Sequence, residues 1–195
     1  MGQLILVLGG ARSGKSCFAQ QLARKLGGEQ VLFVATAGAG DEEMQRRIEE
    51  HRQGRPAGWR TLEAQRDVGQ SILEHVGEAK VVLVDCLTLL ISNLLVDIQD
   101  PFALEVEAKV MIEAQALAVC AEQLTGDLIV ISNEVGQGLV PPYPLGRAYR
   151  DLLGQVNQML AHKADEVYLL VAGIPLAIKG SRPDRGGSPF RRANR

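Results

Sequence analysis

Five short apolar runs alternate along the chain with longer amphipathic segments. Each run is almost continuous in Val, Ile and Leu, as is typical of strands buried on both faces. The segments between them have helical spacing, most clearly at about 88–97, 102–124 and 144–163 and in the stretches around Phe18 and Val68. Strands alternating with helices predict an α/β fold with a mostly parallel central sheet and helices on both faces. The apolar runs are LILVLG (4–9), VLFVAT (31–36), VVLVD (81–85), LIVIS (128–132) and VYLLVAG (167–173).

Length and composition are those of one globular domain. The chain has 195 residues, 46% of them hydrophobic and 23% charged. We predict a single domain over residues 1–179, followed by a basic, disordered tail at 180–195 that is rich in Gly, Ser and Arg. The formal net charge of −2 gives no electrostatic reason to expect nucleic acid as a partner.

Apolar stretches and cysteine spacing indicate the cellular compartment of the protein. No apolar stretch is long enough to span a membrane, and the first apolar run lacks the basic flank of a signal peptide. The cysteines, Cys17, Cys86 and Cys120, are widely spaced and do not form a metal-ligand pattern. We therefore expect a reduced, cytoplasmic protein without zinc.

The first apolar run leads directly into a glycine-rich loop, GGARSGKS. It matches the phosphate-binding pattern G-x-x-x-x-G-K-[ST], with an amphipathic helix after it. Glycines let backbone N–H groups approach phosphate oxygens, and the following helix directs its positive end at the same anion. In this pattern the Lys reaches the β- and γ-phosphates and the Ser hydroxyl ligates Mg²⁺. The predicted nucleotide-binding residues of this P-loop are Gly9, Gly10, Ala11, Arg12, Ser13, Gly14, Lys15 and Ser16.

A carboxylate is expected to help Ser16 hold the metal ion. Asp85 ends the run VVLVD, which is the pattern of a Walker B strand. We therefore predict Ser16 and Asp85 as the Mg²⁺-binding residues. Glu134, which also follows a predicted strand, is a rival or additional carboxylate, or else a turn residue before Gly136.

One histidine stands out from the other two. Residues 41–53 have the pattern of a helix that ends at Gly54, and Met44, Ile48 and His51 share a face of it. A neutral imidazole can attack phosphorus, and flanking arginines suit phosphate oxygens. However, the C-terminus of a helix favours the protonated imidazole, so Glu63 is a candidate to orient the ring. On spacing alone, His51 is either a nucleophile or a hydrogen-bonded structural histidine.

His75 and His162 have a simpler interpretation. Both lie at the edges of apolar stripes near predicted helix ends, and we expect them to be partly exposed surface residues.

Several further motifs occur together in order over about residues 3–179. Besides the P-loop they are FVATA, H-R-x-x-R-P-x-x-W-x-T-x-E from His51 to Glu63, DCLTLLISNLL, NEVG-x-G-x-V-P from Asn133 to Pro141, GQVNQML and VYLLVAGIPLAIK. Together they resemble the bifunctional adenosylcobinamide kinase / adenosylcobinamide-phosphate guanylyltransferase family. The run that begins at His51 and the one that begins at Asn133 are the distinctive ones.

The resemblance implies a P-loop NTPase fold and two successive reactions in cobalamin biosynthesis. A nucleoside triphosphate, ATP or GTP, phosphorylates adenosylcobinamide. GMP is then transferred from GTP through a histidine to adenosylcobinamide phosphate, which gives adenosylcobinamide-GDP. Some family members have two adjacent histidines in this run; here Glu50 precedes His51, so the resemblance assigns the guanylylated position to His51.

Further site residues come from the same resemblance. The predicted catalytic residues are Lys15, which the P-loop pattern and the resemblance both indicate, and His51. Mg²⁺, expected from the P-loop pattern, is the predicted cofactor. A homo-oligomer is implied, with a trimer suspected. Trp59 is either a packing residue or part of a surface between subunits. Besides the P-loop, the nucleotide-contacting positions that the resemblance implies are Ala35, Thr36, Arg52, Gln53, Gly54, Arg55, Glu63 and Asp85.

Two other functions are compatible with the phosphate loop alone. One is a single-activity P-loop kinase of another small hydroxylated metabolite, with His51 only structural. The other is a nucleotide-dependent switch or assembly NTPase that transfers no group to a metabolite.

Overall fold

The computed structural model describes residues 2–38 and 56–180. Within these residues, seven strands form one sheet with five helices packed against it. The strands are β1 (Leu4–Gly9), β2 (Val31–Ala35), β3 (Arg60–Glu63), β4 (Val81–Asp85), β5 (Asp127–Ile131), β6 (Glu166–Val171) and β7 (Ile174–Lys179). The helices are α1 (Lys15–Gly27), α2 (Val68–His75), α3 (Leu87–Leu94), α4 (Leu104–Gln123) and α5 (Pro144–Lys163).

The order of strands in the sheet is β3-β2-β4-β5-β1-β6-β7. Every pairing among these strands is parallel except that of β6 with β7. The carboxyl ends of β1 to β6 therefore lie along one edge of the sheet. In open α/β sheets this is the edge at which ligands bind.

The central strands are buried on both faces, which is why their sequences are apolar without alternation. In β1, Leu4, Leu6 and Leu8 pack into a cluster formed with helices α2 to α5. Ile5 and Val7 point to the opposite face and join a cluster with Phe18, Ala19 and Ala23 of α1. This confirms the prediction of a mostly parallel sheet with helices on both faces.

Two edge strands, β3 and β7, were not predicted. β3 has four residues, none of them buried, and so gives no apolar run. β7 contains Pro175 and is largely exposed, both of which are typical of an edge strand. The run predicted over 167–173 ends at Val171, because Ala172 and Gly173 turn the chain with φ values of 51° and 82°.

Helix ends also differ slightly from the predicted ones. The helix predicted at 88–97 covers Leu87–Leu94, and a positive φ of 61° at Asp97 is incompatible with its continuation. The helix predicted at 144–163 has those same ends, with Pro144 in its first turn. The helix predicted at 41–53 and all but one residue of the predicted tail lie outside the described residues.

The structure also tests the predictions for Trp59 and for the two histidines outside the site. Trp59 is buried in the cluster with α1, and its Nε1 donates to the carbonyl oxygen of Gly28 at 3.0 Å, so in this chain it is a packing residue. His75 and His162 are exposed near the ends of α2 and α5, as predicted. No helix within residues 2–38 and 56–180 is long and apolar enough to cross a membrane.

Candidate active site

The sheet gathers the predicted site residues of the described chain at its carboxyl edge. Ala35 pairs with Asp85 on one side and with Glu63 on the other, so these three residues form a row across β4, β2 and β3. Gly9, at the end of β1, opens the P-loop on the far side of β5. Residues that are up to 76 positions apart in sequence, from Gly9 to Asp85, thus share one edge.

The P-loop leaves β1 and enters α1 through conformations that glycine allows. Gly14 has a φ of 94°, and a Cβ atom there would lie 3.2 Å from the Cα of Gly173. A Cβ at Gly9 would lie 2.6 Å from both the Leu170 carbonyl oxygen and the Ser13 hydroxyl. Side chains at these two positions would force the loop away from the β6–β7 turn, which supports it through a bond from Gly173 N to Ser13 O of 2.9 Å. The glycines therefore define the shape of the loop.

Two side chains of the loop are suited to an anion. Lys15 is only 8% exposed, and its ammonium group donates to the Gly10 carbonyl oxygen at 2.6 Å. Burial lowers the pKa of Lys15, while Cys86 and Asp85 act in the opposite direction. The Ser13 hydroxyl is buried and has no hydrogen-bond partner among the described residues. A desolvated cation beside a buried, unsatisfied donor is the arrangement that a phosphate group would satisfy.

Asp85 is held near Lys15 by the junction between β4 and α3. Thr36 lies directly after β2 and is fully buried. Its hydroxyl donates to the Cys86 carbonyl oxygen at 2.7 Å and accepts from the Cys86 N–H at 2.8 Å. Its own N–H donates to the Asp85 carbonyl oxygen at 3.2 Å, and Asn93 donates to its carbonyl oxygen at 2.8 Å. We call these four residues, Thr36, Asp85, Cys86 and Asn93, the Thr36 clamp.

The clamp changes how Thr36 contributes to the site. Its predicted contact with nucleotide stays a prediction, but its hydroxyl already makes two hydrogen bonds to Cys86. Its effect on a ligand would therefore pass through the position of Asp85. Burial raises the pKa of the Cys86 thiol to about 11, with Asp85 acting in the same direction, so this thiol is neutral at physiological pH.

Oxygen donors at this edge fit a magnesium ion. Ser16 is half-buried in the first turn of α1, directly after Lys15, and Asp85 is the carboxylate whose charge acts on that lysine. A hydroxyl and a carboxylate are hard ligands of the kind that Mg²⁺ takes beside nucleotide phosphates. The chemistry of the donor set therefore agrees with the predicted metal.

Glu134 follows β5, on the same side of the P-loop as Asp85. Its N–H donates to the Gly9 carbonyl oxygen at 3.0 Å, which joins the segment after β5 to the first residue of the loop. Its carboxylate accepts from Gly136 N at 2.8 Å. Both sequence interpretations of Glu134 thus have support, since it caps a turn and also lies beside the loop.

A buried polar network behind Glu134 was missed in the sequence. The Ser132 hydroxyl donates to the Asn157 side-chain oxygen at 2.6 Å, and Asn157 donates to the Asn133 carbonyl oxygen at 3.0 Å. The Asn133 N–H donates to the Thr88 hydroxyl at 3.0 Å. The only available signal was Asn157, a polar residue on the apolar face of a predicted helix. The network fixes the end of β5 against α3 and α5.

The remaining predicted residues lie outside the described part of the chain. They are His51, Arg52, Gln53, Gly54 and Arg55, and their roles stay predictions. Glu63, the candidate partner of His51, is described and lies at the exposed end of β3.

The fold and this site define a P-loop nucleotide-binding protein. The sequence model of one family, cobinamide kinase / cobinamide phosphate guanyltransferase, matches residues 5–178. The chain belongs to this family, as its resemblance predicted.

Curated relatives agree with this assignment. The bifunctional adenosylcobalamin biosynthesis protein CobU of Escherichia coli (strain K12) is 42% identical over 182 residues, covering 90% of this chain and 99% of that protein. The bifunctional adenosylcobalamin biosynthesis protein CobP of Pseudomonas aeruginosa is 44% identical over 175 residues, covering 90% of this chain and 96% of that protein. Together with the family match, these bifunctional relatives confirm the predicted class of enzyme, a kinase and guanylyltransferase.

A solved structure supports the fold alone. The ATPase domain of G40P superposes with a TM-score of 0.50 at 15% sequence identity, covering 86% of this chain and 68% of that one. The α/β P-loop architecture is therefore shared well beyond the family.

Proposed function

We propose that this protein catalyses two successive reactions on one acceptor. It phosphorylates the hydroxyl of adenosylcobinamide with a nucleoside triphosphate, and it then transfers GMP from GTP to adenosylcobinamide phosphate. Family membership over residues 5–178 supports both activities. The observation that carries the kinase half is the buried Lys15 beside the unsatisfied Ser13 hydroxyl in the P-loop.

In the kinase step, the acceptor hydroxyl oxygen bonds to the γ-phosphorus. The bond from that phosphorus to the β,γ-bridging oxygen breaks, the nucleoside diphosphate leaves, and the hydroxyl proton passes to solvent. Lys15 and the backbone N–H groups of residues 9–16 bind the phosphate oxygens and oppose the negative charge that develops on them. The bond from Lys15 to Gly10 gives way to bonds with phosphate when nucleotide binds.

Ser16 and Asp85 would hold the magnesium ion, which supplies positive charge to the phosphates when bound. The Thr36 clamp fixes the junction after β4, and the charge of Asp85 at the end of that strand acts on Lys15.

In the guanylyl step, we assign the nucleophile to His51. Its imidazole nitrogen bonds to the α-phosphorus of GTP, the bond to the α,β-bridging oxygen breaks, and pyrophosphate leaves. A phosphate oxygen of adenosylcobinamide phosphate then bonds to the same phosphorus and breaks its bond to nitrogen, which gives adenosylcobinamide-GDP and regenerates the histidine. Arg52 and Arg55 suit the phosphate oxygens, Gln53 and Gly54 contact the nucleotide, and Glu63 orients the ring.

Product analysis tests the proposal. The protein is incubated with adenosylcobinamide, ATP, GTP and Mg²⁺, and the corrinoid products are identified by mass spectrometry. The wild type should give adenosylcobinamide phosphate and then adenosylcobinamide-GDP. His51→Ala should stop at the phosphate, and Lys15→Met should slow its formation roughly 100- to 1000-fold.

His75→Ala is the matched control, because His75 is an exposed histidine whose ring bonds to the Ser71 carbonyl oxygen at 2.8 Å. It should behave like the wild type. Phosphorylation without any GDP product would reduce the protein to a single-activity kinase. Nucleotide hydrolysis with no change in the corrinoid would favour a switch or assembly NTPase and contradict both halves of the proposal.

A further inference from the structure

The segment between β5 and α5 exposes a run of apolar side chains. Leu139 is 97% exposed, Val140 64% and Tyr143 59%, and Leu145 in the first turn of α5 is also exposed. Pro141 and Pro142 lie between them. We call residues 139–145 the apolar ridge. Contiguous exposed apolar side chains on a protein surface often mark a site that binds a ligand or another protein.

Hydrogen bonds tie the ridge down on both sides. On its N-terminal side, Glu134 N donates to the Gly9 carbonyl oxygen at 3.0 Å, so the segment starts at the P-loop itself. On its C-terminal side, the Arg147 guanidinium donates to the carbonyl oxygens of Pro141 at 3.2 Å and Pro142 at 2.9 Å. The exposed side chains are thus presented from an anchored backbone. This lowers the entropic cost of ordering the segment when a ligand binds.

The ridge lies within reach of the phosphate site. Leu139 is five residues after Glu134, and five residues span at most about 18 Å when extended. A ligand that covers the ridge can therefore place one of its arms at the P-loop.

A second exposed apolar group also borders the loop, at the β6–β7 turn, with Val171 and Ile174. It lies on the other side of β1 from β4 and β5. Asp85, whose charge acts on Lys15, follows β4, and this places the γ-phosphate end of a nucleotide toward the side of β4 and β5. The acceptor hydroxyl must approach the γ-phosphorus from that end, which is the side of the ridge.

We propose that the apolar ridge binds the corrin ring of the acceptor. This inference rests on the proposed function, which requires a corrinoid with its hydroxyl near the P-loop. A corrin is a broad, largely apolar plate with amide groups around its rim. Leu139 and Val140 offer it apolar contact, and Tyr143 offers an aromatic face.

Direct binding measurements test this assignment separately from turnover. Dicyanocobinamide is titrated by equilibrium dialysis into the wild type, into L139S/Y143S, and into the control L104S/I112S, which removes two exposed apolar side chains of α4. L139S/Y143S should weaken cobinamide binding, and raise its KM, by about tenfold or more. Its affinity for nucleotide and its thermal midpoint should stay at the wild-type values, and the control should match the wild type throughout.

The contrary outcomes are distinct. If the wild type binds and phosphorylates cobinamide and L139S/Y143S does so equally well, the ridge assignment is overturned while the proposed function stands. An equal loss of affinity in the control also overturns it. If L139S/Y143S sediments with a smaller mass than the wild type but keeps the wild-type affinity for cobinamide, the ridge is a contact between copies of the chain. That result would contradict the proposal. Failure of the wild type to bind cobinamide overturns the ridge and the proposed function together.

Discussion

Lys15 is a charged group held in a poorly solvated position, and this has a measurable consequence for stability. Burial lowers its pKa in the folded protein below the ordinary value of 10.5. Folding therefore disfavours its charged form, so without nucleotide the lysine lowers stability at neutral pH. That penalty is present below the folded-state pKa and disappears as the pH rises through it toward 10.5.

Lys15→Met should expose this penalty. The variant's thermal midpoint relative to the wild type should be highest near neutral pH and should decline as the pH approaches 10.5. The difference between the two proteins is followed by circular dichroism at several pH values, in the absence of nucleotide. A difference that grows with pH would contradict the assigned direction of the pKa shift.

Thr36 acts through Asp85, and its variants separate that role from direct binding. Thr36→Val keeps the shape but leaves the Cys86 N–H without its partner, while the Cys86 carbonyl oxygen keeps only its bond from Leu90 N. The variant should lower the free energy of unfolding by about 1–3 kcal/mol. If Asp85 holds Mg²⁺ as proposed, the variant should also need a higher Mg²⁺ concentration for half-maximal kinase activity. Nucleotide binding without metal should change little.

Thr36→Ser restores the hydroxyl and is the matched control. It should recover most of the Mg²⁺ dependence of the wild type. If Thr36→Val loses stability while its Mg²⁺ requirement is unchanged, the clamp has a structural role only.

At the level of elements, one carboxylate connects two helices. Glu113 of α4 is buried, and its oxygens accept from the N–H groups of Asp67 at 3.0 Å and Val68 at 2.7 Å. These groups belong to the N-cap and the first residue of α2, where N–H donors have no partner within the helix and negative charge is favourable. Side-chain capping of a helix normally comes from its own N-terminus, but here it comes from a neighbouring helix.

Glu113→Ala should therefore lower the free energy of unfolding by about 1–3 kcal/mol, measured by urea denaturation. Glu122→Ala, on the same helix, removes a surface ion pair with Lys163 at 3.6 Å and should have an effect of about 0–1 kcal/mol. Equal effects of the two substitutions would show that the buried carboxylate contributes no more than a surface pair.

How far the sequence predicts these elements depends on how local their signals are. The P-loop is contiguous and the central strands are apolar throughout, so both were predicted nearly to the residue. β3 and β7 are edge strands with exposed side chains, and nothing in their composition separates them from loops. The Thr36 clamp and the Glu113 cap join residues about 50 and 45 positions apart, and no local pattern encodes such pairs.

At the level of the whole molecule, the order of the strands builds the site. Because β5 lies between β1 and β4, the P-loop and Asp85 are separated at the sheet edge by one strand, which leaves room for phosphates between them. The segment after β5 runs from that gap to the apolar ridge. One edge of one sheet can thus serve a nucleotide and a large acceptor.

The central claim is that the chain transfers two different phosphorus groups. The most direct test is to incubate the protein with Mg²⁺ and GTP labelled at either the α- or the γ-phosphate, and to measure label that stays on the denatured protein. Covalent label is expected from the α-position only, labile in acid and stable in alkali, and absent from His51→Ala. No retained α-label at saturating GTP would contradict the guanylyl half of the account.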